Sequence, residues 1–210
     1  MRERPLRIAV FASGSGSNFE AIAEAVKAER LDASIELLVC DRPEAKVVER
    51  VREAGVPVHL FRPKDYPDRE AYEREILEQL RAKGVELVVL AGYMRILTNV
   101  LVDAFWGRMI NIHPSLLPSF PGLHAVRQAL EHGVKVTGIT VHLVDGGLDS
   151  GPILAQRALD IRPKDTEETL GERIHPLEHE LYPQVIQDIA AGRIDLERYT
   201  NTKPKDGIHS

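Results

Sequence analysis

The chain has 210 residues, of which 43% are hydrophobic and 28% are charged, with both signs of charge spread along its length. This composition excludes a disordered or fibrous chain, and the net charge of −5 disfavours a nucleic-acid partner, since phosphate binding needs a basic face. No run reaches the ~18 apolar residues of a membrane helix, and the single cysteine, Cys40, cannot form an intramolecular disulfide. We therefore expect a cytoplasmic protein without a membrane partner.

The first half of the chain alternates predicted strands with predicted helices. The apolar segment Leu6 to Ser13 predicts a strand and not a signal peptide, and a glycine turn, GSGSN, leads into helical spacing over FEAIAEAVKAERL. A second strand is predicted over SIELLVC, followed by a helix near Glu44 to Ala54. A third strand is predicted over VPVHLF, with a helix from about Asp68 to Lys83. The continuous apolar run Val85 to Gly92 is typical of a central strand.

The second half continues the alternation and ends in a long helix. Strands are predicted over GRMINIH, VTGITVHLV and GPILAQRALDI, with a short helix over HAVRQALEHG. The last helix is expected to start with Asp165 or Thr166 as its cap. Repeated strand–helix order predicts one doubly wound α/β domain over residues 1–210, with a mostly parallel sheet flanked by helices. We expect an ordered core over about 5–196 and a frayed tail over 197–210.

Three polar segments fall at predicted strand ends, where ligands bind in such sheets. They are Ser13 to Asn18, Asn111 to His113, and the loop Asp145 to Gly151. Strand alternation places the side chains of Asn111 and His113 on the same face, just before a loop with three prolines between positions 114 and 121. We expect the three segments to converge on one cleft.

The glycine turn between the first strand and helix suits an anion. Glycine lets the backbone turn tightly, and a helix N-terminus offers N–H groups to a phosphate. The motif lacks the third glycine of a dinucleotide fingerprint and the Gly-Lys-Ser/Thr of a P-loop. A purely structural turn, with Ser17 or Asn18 capping the helix, therefore remains an alternative.

The other two segments supply the groups of an acyl-transfer site. His113 suits proton transfer near neutral pH, and Asn111 can donate a hydrogen bond to an oxyanion. The segment GGLDSGP delivers Asp149 on a glycine-flanked loop, where a carboxylate would tune the imidazole.

The order of five segments carries a resemblance to a known family. With GSGSN, AGYMRIL, NIHPSLLPSFPGLHAVRQAL, GITVHLVDGGLDSGP and LEHELYP, the chain resembles the folate-dependent formyltransferases from Ile8 to about Asp195. The resemblance implies a Rossmann-like formyltransferase fold. GSGSN and the late LEH segment resemble the branch that acts on glycinamide ribonucleotide. The implied reaction passes the formyl group of 10-formyltetrahydrofolate, a co-substrate, to the primary amine of 5-phosphoribosylglycinamide, in purine biosynthesis.

The resemblance implies a role for each matching residue. Asn111 would stabilise the oxyanion, His113 would shuttle the proton, and Asp149 would favour the protonated imidazole. The nucleotide side comprises Gly16, Ser17, Asn18, His175 and the ribose-binding acid Glu178. The folate side comprises Arg69, Met94, Arg95, Ile96, Leu97, Asn111, Asp145, Gly146, Gly147, Leu148 and Asp149. Both arginines are expected to bind carboxylates of the folate's glutamate tail. Gly147, Ser150 and His175 stand where other residues are common in the family. We expect no metal, and a monomer or homodimer.

Three other functions remain open on the sequence. The segment HPLEH, from His175 to His179, fits a zinc-peptidase pattern, although Pro176 disfavours a helical interior. A phosphate-sensing module without catalysis would explain the glycine loop but not the catalytic trio. A formyl-folate hydrolase would share that trio, and dependence of turnover on the amine would separate it from a transferase.

Overall fold

The computed structural model describes residues 4–200, in which seven strands form one sheet. The strands are β1 Leu6–Phe11, β2 Ala33–Cys40, β3 Val58–Leu60, β4 Leu87–Leu90, β5 Met109–His113, β6 Val136–Leu143 and β7 Ile153–Asp160. The helices are α1 Ser17–Lys27, α2 Val47–Glu53, α3 Arg69–Ala82, α4 Asn99–Ala104, α5 Ala125–Glu131, α6 Glu167–Ala190 and α7 Glu197–Thr200, with a 3₁₀ turn at Pro63–Asp65.

The strand order is β3-β2-β1-β4-β5-β6-β7. Neighbouring strands from β3 through β5 pair in parallel, whereas β5 with β6 and β6 with β7 pair antiparallel. The predicted doubly wound, mostly parallel α/β fold is therefore confirmed. The order reverses at β1, between β2 and β4, and such a switch point opens a crevice at the carboxyl ends of the strands. The turns after β1 and β4 flank this crevice.

The sheet is covered on both faces because its central strands are apolar on both sides. In β1, Ile8 and Val10 pack into one buried cluster, with residues of α1, α2 and α6. Ala9 and Phe11 pack into a second cluster, with residues of α3 and α4. Burying a side chain as large as phenylalanine contributes roughly 1.5–3 kcal/mol, so the two clusters hold β1 and the turn after it firmly in place.

Helix α6 differs from the expectation at one proline. The helix runs without interruption through Pro176 and Pro183, so Pro176 lies in a helical interior despite its low preference for that position. Proline costs ~3 kcal/mol inside a helix, but the apolar face of α6 is buried along its length and this packing outweighs the cost. At its start Thr166 forms a capping box with Thr169, which confirms the predicted cap.

Other boundaries also differ from the expected ones. Helix α2 begins at Val47 rather than near Glu44, and α4 was not predicted, since six residues are too few for a clear helical period. The expected tail begins with the short helix Glu197–Thr200. Its remainder, 201–210, lies outside the described residues.

Candidate active site

A cavity of about 770 Å³ opens at the carboxyl ends of β1, β4 and β5. Its lining includes every residue predicted for the site except Arg69, which is exposed at the first position of α3. The contact of Arg69 with a folate therefore stays a prediction, since Arg69 lies outside this lining. The turn after β1 and Glu178 lie in this lining together with the loops after β4 and β6, so the cavity joins the two predicted substrate sides.

His113 is the last residue of β5 and is buried, with 6% of its surface exposed. Its Nε2 lies 2.8 Å from the carbonyl oxygen of Phe120, and its Nδ1 lies 3.4 Å from Oδ2 of Asp149. A carbonyl only accepts hydrogen bonds, so Nε2 carries a proton and donates it. The Phe120 carbonyl thereby leaves Nδ1 as the nitrogen that can take up and release a proton.

The proline-rich loop after β5 is fixed by hydrogen bonds to the sheet. The N–H of Leu117 donates to Oγ1 of Thr140 on β6, at 3.1 Å, and that hydroxyl donates to the carbonyl of Ser115, at 2.7 Å. The Ser115 hydroxyl donates to the carbonyl of Ser119, at 2.6 Å. The loop can therefore hold the neighbouring Phe120 carbonyl against the His113 imidazole.

Asp149 links the loop after β6 to the proline-rich loop and to two histidines. Its Oδ2 accepts a hydrogen bond from the N–H of Gly122, at 2.7 Å, and its Oδ1 lies 3.6 Å from Nε2 of His142. The His142 ring, the Gly122 N–H and the nearby His113 lower the pKa of Asp149 to about 2, against the opposing effect of partial burial. Asp149 is therefore a carboxylate throughout the neutral pH range.

His142 has no role in the sequence analysis, yet it lies between two of the predicted catalytic residues. In the antiparallel pairing of β5 with β6 it is the direct partner of Asn111, whose Nδ2 lies 3.4 Å from Nε2 of His142. The Nδ1 of His142 donates to the carbonyl of Leu143, at 2.9 Å. Nε2 of His142 thus lies between the Asn111 amide, at 3.4 Å, and the Asp149 carboxylate, at 3.6 Å, so the ring can orient both side chains.

The glycine turn prepares the N-terminus of α1 for an anion. Gly16 precedes the helix with φ 75°, a left-handed conformation, and no side chain caps the helix. The alternative in which Ser17 or Asn18 caps α1 is therefore wrong. A Cβ at position 16 would come within 2.5 Å of Cγ2 of Val47, the first residue of α2. Only glycine satisfies both the turn and this close packing.

Glu178 lies at the same end of the cavity, with 7% of its surface exposed. Its Oε2 accepts from Nδ2 of Asn18, at 3.3 Å, and lies 3.2 Å from Nδ1 of His175. This hydrogen bond to Glu178 raises the pKa of His175. The Oδ1 atom of Asn18 is buried without a hydrogen-bond partner among the described residues, so it can accept a hydrogen from a ligand.

The histidines of the HPLEH segment do not form a metal centre with their neighbours. The rings of His175 and His179 are stacked, with centroids 6.3 Å apart and an interplanar angle of 11°. Within residues 4–200 no group of three or more histidine, cysteine, aspartate or glutamate side chains is placed to hold a metal ion. The zinc-peptidase interpretation therefore has no ligand set in the described part of the chain.

Another part of the cavity lining forms an apolar mouth. Met94, Ile96 and Leu148 line it with 62%, 70% and 62% of their surfaces exposed. Apolar side chains exposed around a cavity are typical of a binding site for a flat organic ligand. Arg95 lines the same region, and its Nε donates to the carboxylate of Asp41, at 2.8 Å.

Gly147 and Ser150, two residues of the loop after β6 that are uncommon in the family, depend on each other sterically. The Ser150 hydroxyl donates to Oδ1 of Asp145, at 2.8 Å, and the N–H of Gly147 donates to the same oxygen, at 2.9 Å. A Cβ on Gly147 would lie 2.1 Å from Oγ of Ser150. Position 147 must therefore be glycine for the Ser150 hydroxyl to reach Asp145 in this conformation.

Comparison with known proteins identifies the class to which this fold and site belong. The Formyl transferase family matches residues 6–186, and the chain therefore belongs to that family of formyl-transferring enzymes. It is 56% identical over 183 residues to the phosphoribosylglycinamide formyltransferase of Bacillus subtilis, covering 87% of this chain and 94% of that protein.

Solved structures of related proteins have the same fold. The phosphoribosylglycinamide formyltransferase of Bacillus halodurans superposes with a TM-score of 0.87 at 52% identity, covering 90% of this chain and 98% of that one. The glycinamide ribonucleotide transformylase 1 of Symbiobacterium toebii superposes with a TM-score of 0.89 at 47% identity, covering 91% of each chain. None of the helices in the described range has the length and apolar character to cross a membrane.

Proposed function

We propose that the chain transfers the formyl group of 10-formyltetrahydrofolate to the primary amine of 5-phosphoribosylglycinamide, in purine biosynthesis. One observation carries this proposal: Asn111, His113 and Asp149 meet in a single cavity between an uncapped helix N-terminus and an apolar mouth. We further propose that it works as a single formyltransferase domain in the cytoplasm, as a monomer or homodimer, without nucleic-acid or membrane partners.

The catalytic step requires a proton acceptor and an oxyanion donor. The substrate amine attacks the formyl carbon, and the Asn111 amide donates to the oxygen that becomes negative in the tetrahedral intermediate. The Nδ1 atom of His113 takes the proton that the attacking nitrogen loses, and Asp149 stabilises the resulting imidazolium at 3.4 Å. Collapse of the intermediate breaks the bond to N10 of the folate. His113 returns the proton to that nitrogen, so atoms and charges balance.

The nucleotide binds at the α1 end of the cavity. The N–H groups of the first turn, from Ser17 onward, face a phosphate, and the helix dipole favours its negative charge. Glu178 accepts hydrogen bonds from ribose hydroxyls, because its carboxylate is held in place by Asn18 and His175. The glycinamide arm then points toward His113.

The folate binds at the apolar mouth. Its flat ring system lies against the exposed side chains of Met94, Ile96 and Leu148, which lose contact with water when it binds. The tail carries carboxylates, and the remaining N–H groups of the Arg95 guanidinium suit them. Arg69 remains a prediction for the tail, since it lies outside the cavity lining.

The test is consumption of 10-formyltetrahydrofolate by purified protein, with and without glycinamide ribonucleotide. Loss of the donor only when the amine is present supports the transferase. Equal loss without the amine would support a formyl-folate hydrolase, which the same catalytic trio could serve. Binding of both ligands without turnover would support a binding module instead.

A further inference from the structure

A fully buried carboxylate lies next to the folate end of the cavity without being part of its lining. Asp41 directly follows β2, and its side chain has 0% exposure. Burying a carboxylate is costly unless its oxygens receive hydrogen bonds. Both of them do: Oδ1 accepts from the hydroxyl of Ser13, at 2.5 Å, and Oδ2 accepts from Nε of Arg95, at 2.8 Å.

Ser13 extends this network to the loop after β4. Its hydroxyl oxygen accepts from the N–H of Met94, at 2.9 Å, and its own N–H donates to the carbonyl of Gly92, at 3.1 Å. Asp41 and Ser13 therefore connect the ends of β2 and β1 to the segment 92–95. That segment forms one wall of the cavity, where the formyl donor is proposed to bind.

The contact with Asp41 also fixes the direction of the Arg95 side chain. Nε is occupied by the carboxylate, and 40% of the side chain remains exposed at the cavity. A guanidinium held at Nε keeps its terminal NH₂ groups for a second acidic partner. Because its rotamer is already fixed, a ligand carboxylate would bind with less loss of side-chain entropy.

We propose that Asp41 is a positioning residue for the formyl donor. It holds the Arg95 guanidinium and, through Ser13, the Met94 backbone in the arrangement that receives the acidic tail and the ring system of the folate. This inference rests on the proposed function of the cavity, and it assigns to Asp41 an effect on donor binding alone. Asp41 contacts the start of the turn after β1 through Ser13, but its carboxylate bonds to none of the residues named for the nucleotide side and to none of the catalytic trio in the described structure.

The test measures steady-state kinetics for Asp41→Ala and Asp41→Asn against wild type. The alanine variant is expected to raise KM for 10-formyltetrahydrofolate ~10-fold, the scale of one charge-assisted hydrogen bond, with kcat and KM for the nucleotide nearly unchanged. The asparagine variant keeps the shape of the side chain and is expected to show a smaller rise. Glu44→Ala removes an exposed carboxylate from the same loop and should change neither constant.

A double variant separates positioning from a general structural role. If Asp41 acts through Arg95, the variant Asp41→Ala/Arg95→Ala should bind the donor nearly as well as Arg95→Ala alone. Unchanged donor KM in both Asp41 variants would overturn the proposal. An equal rise of both KM values would also overturn it, since that indicates a general loss of structure.

Calorimetry with a non-reactive deaza analogue of the donor keeps this inference separate from the proposed function. Wild type should bind the analogue, and Asp41→Ala should bind it ~10-fold more weakly. A wild-type protein that binds the analogue but does not formylate the nucleotide would count against the proposed reaction only. Equal analogue affinity of wild type and Asp41→Ala would count against Asp41 as a positioning residue, whatever the turnover.

Discussion

Replacing Asp149 with asparagine removes a charge while keeping the size of the side chain. The pKa of this carboxyl is about 2 in the folded protein, against an ordinary value of 3.8. At ~1.36 kcal/mol for each pH unit, the ionised carboxylate stabilises the folded state by about 2 kcal/mol at neutral pH. Because the folded pKa is the lower one, this contribution is complete above about pH 5 and is lost as the pH falls toward 2.

The assay is urea unfolding of wild type and Asp149→Asn at pH 7, 5, 4 and 3. We expect wild type to be more stable by about 2 kcal/mol at pH 7, with about half of that difference lost at pH 3. Asp32→Asn, which removes an exposed carboxylate outside the cavity lining, should show no such trend. If the stability difference does not change with pH, the two histidines and Gly122 do not stabilise the charge of Asp149, and the reasoning is refuted.

Three further predictions follow from the site. His113→Ala and Asn111→Ala should each lower kcat ~10²-fold or more in variants that still fold, and near-normal turnover in either folded variant would contradict its role. Glu178→Ala should weaken nucleotide binding by ~1.5–3 kcal/mol in calorimetry and leave folate binding unchanged. Wild-type nucleotide affinity in this variant would exclude Glu178 as the ribose ligand. Gly16→Ala should lower the unfolding temperature as well as nucleotide affinity, because the alanine Cβ would lie 2.5 Å from Cγ2 of Val47. Unchanged stability would show that the turn can relax.

Local sequence patterns were enough for much of the fold and for finding three residues, Asn111, His113 and Asp149, that line one cavity. The alternation in β5 places Asn111 and His113 on one face, and this depends only on residues two positions apart. The turn after β1 and the cap at Thr166 are equally local signals. Such features are independent of which strands are neighbours, and they were therefore readable without the structure.

The remaining site residues depend on which segments meet in space. His142 reaches Asn111 only through the register of the antiparallel β5–β6 pair, which no short motif specifies. Asp41 meets Arg95 because β1 lies between β2 and β4 in the sheet. The sequence did contain one signal for Asp41, since an acidic residue directly after a buried parallel strand lies on the ligand edge of the sheet.

The most direct measurement follows a ¹³C-labelled formyl group from 10-formyltetrahydrofolate in a single turnover, by NMR, with glycinamide ribonucleotide present. For wild type the label should appear as an amide of the nucleotide, and for His113→Ala transfer should be slower by ~10²-fold or more. Release of the label as free formate from wild type would contradict the transfer reaction. Equally fast transfer by wild type and His113→Ala would contradict the central claim that this imidazole moves the proton.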